Sequence, residues 1–138
     1  MQTKSPIFIL LFSITLLGAN IKLSDLSGSW HMRALDGLEV RKARAILDFD
    51  LNKMHFYGFD SCNRISGVLK QNSQTKQYRT QLHTTKMACR GYLYRWVSKR
   101  LHETMNEDFT IKKEKKYGIE GITFKSHNHE LFFKKMQR

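Results

Sequence analysis

The sequence predicts an α+β domain in which a small antiparallel, partly closed β-sheet packs against one helix. Short runs of alternating apolar and polar residues, separated by Gly, Asp, Asn and Ser clusters, are typical of half-buried strands joined by turns. A single apolar stripe at four-residue spacing predicts one helix, which the sheet can bury. The chain has 138 residues, of which 41% are hydrophobic, so its length suits one domain with a core.

The first half of the chain predicts paired strands. A strand with Trp30 on its buried face is expected to end at the Asp36-Gly37 turn. Apolar and polar residues then alternate over residues 45–50 and again over residues 54–57, which predicts a β-hairpin.

The second half carries the helix and the last strands. A tight connection containing a cysteine is predicted over residues 58–67, and a polar strand over residues 77–83. Three more strands are predicted after the helix, and in the last of them Phe132 is expected to face away from Leu131 and Phe133. The apolar stripe of the helix consists of Leu93, Val97, Leu101 and Met105.

Residues 1–19 predict a secretory signal peptide. Lys4 is followed by an apolar run over residues 7–17 and by the small residues Gly18 and Ala19. This run is shorter than the roughly 20 residues of a spanning helix. We therefore expect residues 20–138 to be a periplasmic or secreted domain, either free or associated with the outer membrane. A lipoprotein is not expected, because Ala19 stands where the acylated cysteine would be.

Four blocks of sequence resemble the META-domain, or HslJ-like, family of small bacterial envelope proteins. The blocks are Leu26-Ser27-Gly28-Ser29-Trp30 with Leu35-Asp36-Gly37, then Gly58-Phe59-Asp60-Ser61-Cys62-Asn63-Arg64 with Ser66-Gly67, then Thr85-Lys86-Met87-Ala88-Cys89, and finally the closing strands from Tyr117-Gly118-Ile119 to Phe132. Ser61 departs from the glycine usual before Cys-Asn, and the acidic residue often found early in the family's helix is absent. The resemblance implies a curled antiparallel sheet with one helix. It also implies a role linked to heat or envelope stress, antibiotic tolerance, motility or secretion, without an established catalytic activity.

The two cysteines, Cys62 and Cys89, are the first candidates for chemistry. In an exported protein a lone pair of cysteines usually forms a disulfide, and this one would stabilise the fold by on the order of 3.5 kcal/mol. Two buried free thiols are the alternative. A catalytic cysteine would need a base and an orienting partner, and proximity of His83 to Cys89 in the sequence does not supply them.

The segment His127-Asn128-His129 is the second candidate. Two imidazoles two residues apart can bind a transition metal weakly, but a tight site needs three or four ligands. We therefore expect a solvated turn, no metal site and no cofactor.

The basic residues form the third candidate. The formal net charge is +12, and sixteen of the 24 Lys and Arg residues but only six of the 12 Asp and Glu residues follow residue 69. An anionic polymer, lipopolysaccharide or a membrane surface would suit such a face, whereas nucleic acid is not expected because no recognition motif accompanies the charge. A solvated surface that only keeps the protein soluble is the alternative. The candidate residues are Arg95, Lys99, Arg100, Lys112, Lys113, Lys115 and Lys116, although alternation places Lys113 and Lys115 opposite Lys112 and Lys116.

These observations favour a non-enzymatic, monomeric domain with a structural or interaction role in the bacterial envelope. Its partner would be an envelope protein or an anionic surface. A cationic binding module and a carrier of an apolar ligand in a barrel mouth are the two other hypotheses. No Gly-rich phosphate loop, metal cluster or nucleophile–base motif stands out in the sequence, so we do not expect an enzyme.

Overall fold

A computed structural model describes residues 19–137, so the predicted signal peptide lies outside the described residues except at its last position. The described chain is an antiparallel sheet with one helix, which confirms the predicted fold class. The strands are β1 (Ala19–Asn20), β2 (Gly28–Leu35), β3 (Leu38–Glu39), β4 (Ile46–Asp50), β5 (His55–Phe59), β6 (Arg64–Gln71), β7 (Tyr78–Thr84), β8 (Thr110–Lys116), β9 (Ile119–Lys125) and β10 (Glu130–Lys135), and the helix is α1 (Tyr92–Asn106).

The strands follow the order β1-β8-β9-β10-β2-β4-β5-β6-β7, and β3 pairs with β2 beside this path. The sheet curls until its two ends approach each other. Tyr78 in β7 and Phe109, just before β8, exchange two backbone hydrogen bonds with N···O distances of 2.6 and 2.9 Å. The sheet is therefore a partly closed barrel.

Helix α1 connects β7 to β8 and packs against β7. Val97, Leu101 and Met105 are fully buried, and they join the inward-facing aromatic residues of the sheet in one core. Phe124 lies at the centre of this core, with its ring centroid 5.3 Å from that of Phe109 and 4.8 Å from that of Phe133. The predicted helical stripe is thus the surface that joins helix to sheet.

One prediction about the strands needs correction, and a second is confirmed with an addition. The connection predicted over residues 58–67 is only four residues long, because Gly58 and Gly67 lie inside strands where neighbouring backbone leaves no room for a side chain. Phe132 does face away from the core side, but it is buried, because it packs over Gly121 and meets the ring of Tyr117 edge-on.

Leu101 provides a test of the helix–sheet interface. We expect Leu101→Ala to lower the free energy of unfolding by about 2–5 kcal/mol, because the truncated side chain leaves a cavity in a packed core. Lys99→Ala, at a position whose side chain is 79% exposed on the same helix, should change it by less than about 0.5 kcal/mol. Urea denaturation followed by circular dichroism measures both values. Equal effects of the two substitutions would contradict burial of Leu101 between helix and sheet.

Candidate functional site

A buried carboxylate organises the loop between β5 and β6. The side chain of Asp60 is 0% exposed, and its Oδ1 accepts hydrogen bonds from the backbone N–H groups of Cys62 and Asn63 at 2.7 and 2.6 Å. Ser61, between Asp60 and Cys62, has a φ of 88°, a conformation that favours glycine. The backbone therefore keeps the turn that a glycine would form, although serine occupies the position.

The second oxygen of the same carboxylate binds the helix. Asp60 Oδ2 accepts a hydrogen bond from Ser98 Oγ at 2.9 Å and lies 2.5 Å from His102 Nε2. Ser98 and His102 are four residues apart, so they share one side of α1. Burial raises the pKa of Asp60, but the hydrogen bonds from His102, Asn63, Cys62 and Ser98 to the ionised form outweigh burial and hold the pKa below its ordinary value.

Ser98, His102 and Asp60 are the residue types of a hydrolytic triad, but their arrangement is different. The Ser98 hydroxyl donates to the carboxylate, and the His102 ring nitrogen binds the same carboxylate oxygen. A nucleophile–base pair instead requires the hydroxyl to donate to the imidazole. The geometry thus suits attachment of α1 to the β5–β6 loop.

A disulfide joins this loop to the segment that leads into α1. Cys62 and Cys89 are bonded, with their Cα atoms 5.1 Å apart, which confirms the predicted pairing over the two alternatives. The side chain of Asn63 adds a second link, because its Oδ1 accepts a hydrogen bond from the backbone N–H of Met87 at 2.6 Å. The two cysteine-containing blocks of sequence therefore form one connected structure.

The turn between β9 and β10 holds the opposite side of the helix. His129 Nδ1 lies 2.9 Å from Asp36 Oδ2, and His129 Nε2 lies 2.6 Å from Glu103 Oε2. The prediction of a solvated turn is right for His127 and wrong for His129, which is only 7% exposed because carboxylates from two other elements enclose its ring. Among residues 19–137, no group of three or more His, Cys, Asp or Glu side chains is arranged to hold a metal ion.

The outer face of α1 carries a groove of about 600 Å³ that we call the helix groove. Arg100 stacks on Trp96, with its guanidinium carbon 4.9 Å from the ring centroid, and Tyr92 is 77% exposed. Cations and aromatic rings therefore share one open surface. The residues that line it are Tyr92, Arg95, Trp96, Lys99, Arg100 and Glu103.

The predicted cationic residues do not form a single group. Arg95, Lys99 and Arg100 line the helix groove, and none of the four lysines of β8 is among its lining residues. Within β8 the register confirms the predicted alternation, because Lys113 pairs with the inward-facing Ile122 whereas Lys112 pairs with Thr123. Lys116 forms ion pairs with Glu114 and Glu130 and is thus partly neutralised.

The Asp60 and His129 contacts were not predicted from the sequence. His102 is 42 positions from Asp60, and His129 is 93 positions from Asp36. Periodicity reports only neighbours within a few residues, so it carries no signal for such pairs. The one available signal was Asp60 within the Cys62-Asn63 turn, where Asp commonly accepts hydrogen bonds from following backbone amides.

The curled antiparallel sheet, with one helix held across it by a disulfide and a buried carboxylate, defines a small α+β partial-barrel domain. The sequence matches the META domain family over residues 22–137, and the chain belongs to that family. A solved structure described as the NMR structure of the protein from Burkholderia xenovorans is similar in fold. Its TM-score is 0.66 at 18% sequence identity, and the match covers 99% of this chain and 100% of that one. Among curated proteins, no sequence relative matches.

The lowered pKa of Asp60 predicts a specific dependence of stability on pH. A carboxyl group with a lowered folded-state pKa stabilises the fold above its ordinary pKa, and this contribution is lost as the pH falls through the lowered value. We expect Asp60→Asn to lower the free energy of unfolding at pH 7 by about 1–3 kcal/mol, and the difference from wild type to narrow below about pH 4.

Urea denaturation at a series of pH values measures this difference. Asp108→Asn is the control, because that carboxylate forms an ion pair with Arg79 at 3.0 Å while its side chain is 54% exposed. A loss at pH 7 no larger than that of the control would contradict the assigned role of Asp60.

Proposed function

We propose that this META domain is an exported, non-enzymatic protein of the bacterial envelope that acts by binding a partner. Three observations support the proposal. The apolar run at residues 7–17 has the form of a signal peptide, the Cys62–Cys89 disulfide suits an oxidising compartment, and the Ser98–His102–Asp60 arrangement holds the helix in place. By resemblance, the role belongs to stress response, secretion or motility. Within the described residues, no helix has both the length and the apolar character needed to cross a membrane.

The observation that carries the proposal is the helix groove. Its Asp36–Arg100 and His129–Glu103 contacts anchor the inner ends of the helix side chains, and Tyr92, Arg95 and Lys99 remain exposed. Arg100, held by Asp36 and stacked on Trp96, presents a cation and an aromatic ring in fixed positions, so this part of the surface can meet a partner without a large ordering cost. We therefore assign partner binding to the outer face of α1.

A second candidate function follows from the charge of this groove. Three of its six lining residues are cations, and Glu103, its one acidic residue, is already engaged by His129 and Lys99. Such a surface suits an anionic polymer or an anionic membrane surface, which the domain would bind as a monomer.

The hypothesis of an apolar-ligand carrier has less support, because residues such as Phe56, Phe109 and Phe124 fill the interior of the sheet.

Export and the disulfide are tested together by expressing the full chain in a bacterium, with a chain that begins at a new Met before Asn20 as control. We expect the full chain in the periplasmic fraction, without residues 1–19 and without free thiols, and the shortened chain in the cytoplasm with both thiols free. Alkylation under denaturing conditions followed by intact mass spectrometry measures both properties. Full-length mass retained in the cytoplasm would overturn export, and free thiols in the exported protein would overturn the Cys62–Cys89 disulfide.

The cationic candidate is tested by retention on heparin at increasing salt. We expect the variant Arg95→Glu/Lys99→Glu to elute at lower salt than Lys53→Glu/Lys70→Glu, a control with the same change in net charge at exposed positions outside α1. Each removed contact should also reduce the slope of log affinity against log salt by about one. The variant Lys112→Glu/Lys115→Glu tests β8 in the same way. Equal elution of the helix variant and the control would show that net charge alone acts.

A further inference from the structure

A small cavity of about 280 Å³ opens at the end of the sheet where β8, β9, β10 and β2 lie side by side. Trp30 and Ile122 contribute its apolar wall, and both are nearly inaccessible to solvent, at 5% and 1% exposed. The register places Lys135 beside Trp30 and Lys113 beside Ile122, so both lysines project from the core-facing side of the sheet. The cavity is therefore a barrel mouth whose apolar wall forms its floor, with charged residues around its edge.

The floor of the cavity is fixed in position. The indole Nε1–H of Trp30 donates a hydrogen bond to the backbone oxygen of Leu26 at 2.8 Å. Lys135 Nζ lies 5.7 Å from the centroid of the same ring. A rigid apolar wall with a cation beside it offers apolar contact and charge to one ligand.

Both signs of charge surround this floor. Lys113 and Lys135 supply two cations, and Asp25 and Glu120 supply two carboxylates. Among the described residues, none of these four side chains takes part in an ion pair within 4.0 Å. Lys116, three residues after Lys113 in β8, does form ion pairs. The charges of the four side chains are therefore available to a ligand that carries both signs.

We propose that this barrel mouth binds a small zwitterion with an apolar side chain, the chemistry shared by a free amino acid and a short peptide. The carboxylate of the ligand pairs with Lys113 and Lys135, and its ammonium group pairs with Asp25 and Glu120. Its apolar side chain contacts the wall to which Trp30 and Ile122 contribute. The volume lies at the lower limit of ligand pockets, which suits a molecule of this size. The site shares no residue with the helix groove, so it stands independently of the proposed function.

The test titrates the oxidised protein with three probes. L-leucine carries both charges, N-acetyl-L-leucine carries only the carboxylate, and L-leucinamide carries only the ammonium group. Two-dimensional NMR follows the indole N–H of Trp30 and the backbone N–H of Gly121. We expect saturable shifts of both signals with L-leucine, and binding about threefold to fivefold weaker for each singly charged probe. Leucyl-leucine in a fourth titration distinguishes a peptide from a free amino acid as the preferred source.

Variants assign the binding to the cavity. Lys113→Gln/Lys135→Gln and Asp25→Asn/Glu120→Gln should each weaken L-leucine binding by about threefold or more. Lys112→Gln/Lys134→Gln, on neighbouring outward-facing positions of the same two strands, should leave it unchanged. Equal affinity for the three leucine probes, an absence of saturable shifts, or an equal loss in the control variant would each overturn the proposal.

Discussion

The structure depends on the buried carboxylate of Asp60. An ionised group with no exposed surface is strongly destabilising unless hydrogen bonds surround it, and here four donors do so. Two donors are backbone amides of the β5–β6 loop and two are helix side chains, Ser98 and His102. The carboxylate is satisfied only when loop and helix are both in place. Formation of the turn and docking of α1 are therefore coupled, and the disulfide at Cys62 fixes the same loop from its other side.

The helix is held again on its other side by His129. This imidazole lies between Asp36, in the turn after β2, and Glu103 on α1, and Arg100 reaches the same Asp36 oxygen at 3.3 Å. Side chains on the inner and lateral faces of α1 are thus in contact with the sheet and its turns. Only the outer face is left for Tyr92, Arg95 and Lys99. The helix groove is a consequence of how the helix is attached.

Local sequence patterns predicted most of the fold, but they did not predict contacts between residues that are distant in the sequence. Alternation identified the strand of Trp30 and the hairpin of residues 45–57, and four-residue spacing identified the buried stripe of α1. The sequence predicts a solvated turn for His129, because the partners that bury it lie 26 and 93 positions away and leave no local pattern. Alternation also predicted the opposite faces of Lys112 and Lys113, which the pairing of Lys113 with Ile122 confirms, but it carried no signal that the lysines of β8 lie outside the helix groove.

The two proposed binding surfaces differ because different elements form them. The helix groove is open, lies on one element and carries mainly positive charge, which suits a long anionic partner that contacts it at many points. The barrel mouth lies between four strands, is less than half as large and carries both signs of charge around Trp30. Such a site selects by the separation of opposite charges on a small molecule. Helix α1 is attached to β7 and to the turn at residues 41–43, whereas the mouth is lined by β2, β8, β9, β10 and residues 21–25. A ligand in one place therefore leaves the other accessible.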